Sequence, residues 1–81
     1  MNIKCYDSGP NGFWDRYTVV YLDHKERGRG TYSARAMSAR PFHPQGFGQM
    51  TTAMLGRHLG KRIKFEELPE DCQKLVKQDL S

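Results

Sequence analysis

At 81 residues with 37% hydrophobic side chains, the chain can form one small core, and we expect a single domain over residues 1–81. Such a core leaves little room for a deep pocket, which disfavours an enzyme with its own buried cofactor. The net charge of +4 is unevenly distributed, because residues 24–64 carry nine basic side chains against one acidic side chain. This cationic segment suits a polyanion or an acidic protein surface, or serves solubility alone.

The first strands are predicted near the N-terminus. Residues 2–6, "NIKCY", form a short strand candidate, and residues 16–22, "RYTVVYL", form the strongest one because they are rich in β-branched and aromatic side chains. Residues 23–30 are polar and contain glycines, which indicates a hairpin loop, and residues 31–39 are expected to return as the paired strand. Alternation along the second strand places three large side chains on one face: Tyr17, Val19 and Tyr21.

Residues 40–60 contain two prolines and four glycines, and they predict a long loop rather than a strand or helix. One helical turn capped by Thr51 or Thr52 is the only regular structure expected there. At least one of Phe42 and Phe47 is expected to close the open end of the core, since phenylalanine is usually buried in so small a domain.

The C-terminal third predicts a strand followed by a helix. In residues 61–65, "KRIKF", the two apolar side chains should face inward, with Arg62 and Lys64 facing out. Residues 68–80 are expected to form a helix with Pro69 in its first turn and one apolar stripe facing a sheet. The predicted fold class is α+β, with a three- to four-stranded, mostly antiparallel sheet and the C-terminal helix packed on one face. The stripe comprises Leu68, Cys72, Leu75, Val76 and Leu80.

Cysteine content and hydropathy suggest a compartment. Cys5 and Cys72 lie far apart and form no CxxC pair, which favours free thiols in a reducing cytoplasm. No apolar run approaches the ~20 residues that span a bilayer, and no secretory signal is recognisable at the N-terminus. We therefore expect a cytoplasmic protein with no membrane partner.

Two stretches resemble a known family. "PFHPQGFGQ" (residues 41–49) and "LGKRIKFEELPEDCQKLVKQDL" (residues 59–80), with "DRYTVVY" upstream, are similar to small uncharacterised proteins encoded by bacteriophages and bacterial mobile elements. The resemblance implies a bacterial host cytoplasm and a non-enzymatic protein that docks on a host protein or nucleoprotein complex. Inhibition of a bacterial defence complex is one such case.

The candidate binding residues combine cations with polar and aromatic side chains. The hairpin loop offers cations on a glycine-rich backbone, which suits phosphate or carboxylate contacts. Cations beside aromatic rings also hold single-stranded nucleic acid, so a nucleic-acid-binding protein using the basic central segment is the alternative. The predicted binding residues are Lys25, Arg27, Arg29, Arg35, Arg40, His43, Gln45, Arg62 and Lys64.

A small enzyme using His24 or His43 is the second alternative, with Asp23 and His24 as a possible carboxylate–imidazole pair. No nucleophile elbow or phosphate-binding loop supports it. His24, His43, His58 and the two cysteines lack the close spacing of a structural zinc site, so we expect neither a metal nor a cofactor. Nothing in the sequence indicates an oligomeric state.

Overall fold

The computed structural model describes residues 2–10, 15–25 and 30–81, and for Lys25 it describes the backbone alone. Two short 3₁₀ helices, Arg57–Leu59 and Phe65–Glu67, flank the last strand. The strands and the α-helix within the described residues are β1 (Ile3–Asp7), β2 (Tyr17–Lys25), β3 (Thr31–Met37), β4 (Gly48–Met54), β5 (Lys61–Ile63) and α1 (Glu70–Leu80).

The strands form one antiparallel sheet in the order β4-β3-β2-β1-β5. The predicted α+β class, with an antiparallel sheet and a C-terminal helix, is confirmed. The sheet has five strands rather than three or four, because part of the predicted 40–60 loop is strand. The last strand is also shorter than predicted: it ends at Ile63, and Lys64 precedes the second 3₁₀ helix.

One face of the sheet packs against α1. Tyr17, Val19 and Tyr21 share this face, as their alternation predicts; all three are buried, and Met37 of β3 lies beside them. Because Tyr17 pairs with Met37 across the β2–β3 ladder, their side chains share one face of the sheet. The hydrophobic contact with α1 therefore comes from the central strands.

The helix begins at Glu70, directly after Pro69, and Glu70 and Asp71 lie in its positive first turn. The predicted stripe is confirmed at its centre, where Cys72 and Val76 are completely buried. Full burial of a side chain such as Val76 contributes about 1.5–3 kcal/mol. Leu80 is 41% exposed, so the buried stripe ends before the last turn.

The opposite face is covered by the chain between the two edge strands. Leu55 and Leu59 pack against a small buried cluster on this face, which consists of Tyr6, Val20 and Ala34. Because β4 and β5 are the two edges, the connection from Met54 to Lys61 must cross the sheet. The second hydrophobic cluster is thus covered by this crossing segment and not by an α-helix.

Strand β4 overturns the prediction of a long loop over residues 40–60. All seven of its residues pair with β3, from Thr31↔Met54 to Met37↔Gly48. Apart from its two threonines, "GQMTTAM" consists of residues with little preference for a strand, so the pairing with β3 decides its conformation. The helical turn lies later than predicted, at Arg57–Leu59, and its N-cap is Gly56 instead of Thr51 or Thr52.

Candidate functional site

The loop of residues 40–47 connects β3 to β4 and is closed at its base by Ser38 and Phe47. The Ser38 backbone N–H donates to the carbonyl oxygen of Phe47 at 2.8 Å. The Phe47 backbone N–H donates to the Ser38 hydroxyl oxygen at 2.9 Å. The first bond continues the β3–β4 backbone ladder by one pair and the second closes the same pair through a side chain, so both ends of the loop are held next to the sheet.

Inside the 40–47 loop, two successive turns organise the backbone. The His43 N–H donates to the Arg40 carbonyl oxygen at 3.2 Å, and the Gly46 N–H donates to the His43 carbonyl oxygen at 2.7 Å. A Cβ atom on Gly46 would lie 1.8 Å from the Arg40 carbonyl oxygen, so only glycine fits there. The loop has a defined conformation of its own.

The side chain of His43 takes part in this arrangement. Its Nδ1 accepts a hydrogen bond from the Gln45 backbone N–H at 3.1 Å. In a neutral imidazole with Nδ1 as acceptor, Nε2 carries the proton and is a donor. The exposed imidazole of His43 can therefore donate to a partner through Nε2.

The loop presents its remaining side chains to solvent. Arg40, His43 and Gln45 are exposed and line one open depression with a volume of about 300 Å³. Phe42 is 50% exposed beside them. No carboxylate among the described residues forms a salt bridge with Arg40. The four side chains combine a free cation, an aromatic ring and two polar groups.

The two loop phenylalanines do not belong to the buried core, contrary to the prediction that at least one would. Phe42 is largely exposed, and Phe47 is only half-buried. Phe47 instead lines a groove with Ala36 and Thr51 on the sheet face opposite α1. The open end of the core is closed by α1, whose Cys72 Sγ donates to the Ser38 carbonyl oxygen at 3.2 Å.

Arg35, a predicted binding residue, has an internal partner. Its guanidinium donates to the two carboxylate oxygens of Asp79 in α1, at 2.9 and 2.5 Å, and the Tyr21 hydroxyl donates to the same carboxylate. Burial alone would raise the pKa of Asp79, but the hydrogen bonds from Arg35 and Tyr21 lower it. Only 15–16% of each ion-pair side chain is exposed, so Arg35 joins β3 to α1 and is not a free cation.

The predicted cations at the other edge lie in the open. Arg62 in β5 is exposed, and its guanidinium lies over the Tyr6 ring at 5.9 Å from the ring centre. Lys64 is exposed beyond the end of β5. Arg57 and Lys61 are exposed in the same stretch of chain. Together these residues make a second cationic surface, the β5 edge.

The structure does not bring all the predicted binding residues together. Lys25 ends β2 at the far end of the sheet from the 40–47 loop, about 20 Å away along a seven-residue strand. The side chain of Lys25, and all of Arg27 and Arg29, lie outside the described residues. Arg40, His43 and Gln45 form one site, and Arg62 and Lys64 belong to a different edge.

The two histidines considered for catalysis, His24 and His43, also lie in different parts of the structure. His24 shares a depression with Tyr21, Ser33 and Asp79 near the end of β2, far from His43. The Asp23 carboxylate accepts a hydrogen bond from the Asn2 side chain at 2.8 Å. The Asp79 carboxylate accepts hydrogen bonds from Arg35 and Tyr21, so it has a structural role beside His24.

The cysteines serve packing. Both thiols are free and buried, and burial raises the pKa of Cys5 to about 11 and that of Cys72 to about 12. They are therefore protonated and poorly nucleophilic at neutral pH. Across residues 2–10, 15–25 and 30–81, no three His, Cys, Asp or Glu side chains cluster as metal ligands would.

Comparison with known proteins adds no relative: no protein-family model, no curated protein and no solved structure matches the chain. In the part of the chain that the structure describes, no helix has the length and apolar character to cross a membrane.

Two contributors to this geometry are not among the predicted site residues. Asp79 is one, although an acid in the last turn of a helix opposes the helix dipole and so suggests a specific cation partner. Ser38 closes the loop through both its backbone and its hydroxyl, and no local pattern distinguishes it from other serines.

Proposed function

We propose that this is a non-enzymatic binding protein that docks on a host protein or nucleoprotein complex through the 40–47 loop. One observation carries the proposal: the loop is fixed by its own hydrogen bonds while Arg40, Phe42, His43 and Gln45 remain exposed. A loop that already holds its conformation loses less entropy on binding, so its contacts contribute more to affinity.

The chemistry of the exposed side chains suits a partner surface that carries both anionic groups and an apolar area. Arg40 can make two parallel hydrogen bonds to a carboxylate or phosphate, and His43 offers one further donor. Arginine and aromatic side chains also dominate the binding energy of protein interfaces. The preferred partner is an acidic protein surface with an apolar cleft for Phe42. A bacterial host, and interference with a defence complex, rest on the resemblance to phage and mobile-element proteins.

Nucleic-acid binding is the second candidate, and the β5 edge favours it. Arg57, Lys61, Arg62 and Lys64 are exposed within eight residues of chain, and none forms a salt bridge with a described carboxylate. Neutralising phosphates with such cations releases counterions and gives a binding constant that falls steeply with salt.

A pull-down from bacterial lysate with the full chain tests the leading proposal. A specific partner should be retained by wild type and lost by the double variant Arg40→Ala/His43→Ala, because each hot-spot truncation costs at least about 1 kcal/mol of binding free energy. Lys61→Ala/Lys64→Ala is the matched control and should retain the partner. Equal recovery by the loop variant and wild type would refute docking through the 40–47 loop.

The salt dependence of binding to a single-stranded oligonucleotide tests the second candidate. Replacing Arg57, Lys61 and Lys64 by alanine should flatten the log–log slope by about two to three units, since each cation neutralises about one phosphate. The loop variant should leave the slope almost unchanged. Binding that ignores salt, or no binding at low salt, would discard nucleic acid as the ligand.

A further inference from the structure

The outer edge of β4 exposes regular backbone. In antiparallel pairs the hydrogen-bonded residues alternate with those that turn their N–H and C=O groups away. The Ser38 N–H donates to the Phe47 carbonyl, so this pair is hydrogen-bonded and the next such pairs place Gln49, Thr51 and Ala53 toward β3. The intervening residues of β4 direct their backbone groups outward, and these are Gly48, Met50, Thr52 and Met54.

Hydrogen bonds at the other side of the sheet assign the same β4 residues to the inward and outward positions. The Leu22 N–H donates to the Asn2 carbonyl, and the Ser8 N–H donates to the Arg16 carbonyl, so even-numbered residues of β1 and β2 bond to each other. Each residue directs its backbone groups toward only one neighbouring strand, so the odd-numbered residues of β2 and β3 bond to each other. The even-numbered residues of β3 therefore bond to β4. This agrees with the assignment from Ser38.

The β4 edge lacks the usual protection against pairing. Natural edge strands are kept short, charged, bulged or interrupted by proline. Strand β4 has seven residues, an unbroken register with β3, no charged side chain and no proline. Within the residues that the structure describes, no strand lies beyond it. Met50 and Met54 are 45% and 54% exposed along the same edge.

The best match for this edge is the same edge of another copy. A two-fold axis at Thr51 pairs β4 with itself over its full length and places every outward residue in a hydrogen-bonded position. Met54 then lies opposite the other copy's Gly48, where the missing side chain leaves it room, and Thr51 lies opposite Thr51.

Charge also favours a second copy over an acidic ligand at this edge. The chain carries a net charge of +4, yet β4 itself has no charged side chain. Two copies can therefore meet along β4 without like charges facing each other, whereas an acidic peptide would find no cation in the strand to pair with. We propose that β4 pairs antiparallel with β4 of a second copy, which joins two sheets into one.

Sedimentation equilibrium of the full chain tests this surface. Wild type, with a monomer mass of 9.4 kDa, should reach twice that mass as its concentration rises to about 1 mM. The dissociation constant should decrease with added salt, since two cationic chains repel each other less when screened. A protein that stays monomeric throughout this range would overturn the proposal.

Charge substitutions at the two-fold axis identify the edge and its register. Thr51→Lys and Thr51→Glu should each weaken association at least about tenfold, because like charges would face each other. An equimolar mixture of the two variants should dimerise again. Gln78→Lys, on the exposed surface of α1, adds the same charge as Thr51→Lys and should dimerise as wild type does.

The outcomes separate this surface from the 40–47 loop. Arg40→Ala/His43→Ala should leave self-association unchanged, so the failure of one proposal does not affect the other. Dimerisation of Thr51→Lys at wild-type strength, or a mixture of the two charge variants that stays monomeric, would overturn pairing through β4.

Discussion

The two edge strands of the sheet expose very different amounts of backbone. Strand β4 turns the peptide groups of four residues outward, and none of its side chains is charged. Strand β5 has three residues, all paired with β1; Lys61 and Ile63 are in the hydrogen-bonded pairs, so of the three only Arg62 turns its peptide groups outward. A short edge with cationic side chains discourages pairing, whereas a long neutral edge invites it.

The edges also differ in how they are joined to the helix. Near β5, Ile63 and Phe65 pack apolar side chains against the core cluster under α1. Near β4, Leu75 of α1 also packs over Gly48, but a polar connection through Arg35, Tyr21 and Asp79 is added. The β4 side therefore depends in part on an ionised carboxylate, whereas the apolar contacts near β5 hold at any pH. Four predictions, in order of decreasing effect, test this comparison.

Two proline variants should distinguish the inner and outer sides of β4. Thr51→Pro removes an N–H that bonds to β3 and leaves the facing carbonyl without its donor, so it should lower the free energy of unfolding by about 3 kcal/mol, the upper end for a lost buried hydrogen bond. Thr52→Pro removes an outward N–H and should cost much less, because proline is tolerated on the open side of an edge strand. Urea unfolding measures the stability of both variants. Equal losses of stability would contradict the assignment of Thr51 to the inner side and Thr52 to the outer side of β4.

Asp79→Ala should destabilise the β4 side next most. It leaves the guanidinium of Arg35 unpaired at a largely buried site, and a loss of about 2–3 kcal/mol is expected, below the range for fully buried pairs. Lys74→Ala is the matched control, since its pair with Glu70 at 3.9 Å is exposed and should contribute under about 0.5 kcal/mol. Similar losses for both variants would show that the Asp79 pair has no special role.

The same carboxylate predicts a pH dependence. Its pKa is lowered in the folded state, so the unfolded chain takes up a proton first as the pH falls. The contribution of ionised Asp79 to the free energy of unfolding is complete above the ordinary aspartate pKa of 3.8. This contribution is lost as the pH falls below 3.8 and through the lower pKa of the folded state. In urea unfolding from pH 6 to pH 2, Asp79→Asn should therefore lose less stability than wild type. Parallel curves would be evidence against an ionised Asp79 in the fold.

Arg62→Ala on β5 should have the smallest effect. It removes the cation over the Tyr6 ring, and exposed contacts of this kind contribute about 0.5–1 kcal/mol. Lys61→Ala, one residue earlier on the same edge, should be neutral within about 0.5 kcal/mol. Thermal melts at low and high salt compare them. A larger loss of thermal stability for Lys61→Ala than for Arg62→Ala would mean that the β5 edge is held by a contact other than the one with the Tyr6 ring.

Some of the candidate site was predictable and some was not. Arg40, His43 and Gln45 were singled out because proline and glycine around them indicate a loop, and loops lie at the surface. That Arg35 would find Asp79, 44 residues away, depends on the pairing of β3 and the course of α1. No local pattern marks one arginine as paired and another as free.

The amino-acid sequence alone determined that β2 is a strand and that α1 is a helix with one buried face. In β2 the β-branched and aromatic side chains specify the strand, and in α1 the apolar side chains repeat every third or fourth residue, so conformation and orientation are specified together. Which α1-facing and opposite-face clusters the two sides of β2 join was decided by the tertiary structure, since both sides are buried. The tertiary structure decided the conformation of residues 48–54, because glycine, glutamine and alanine have little preference for a strand until β3 supplies the hydrogen bonds. It also decided which strands became edges, since strand order depends on pairings between residues far apart in the chain.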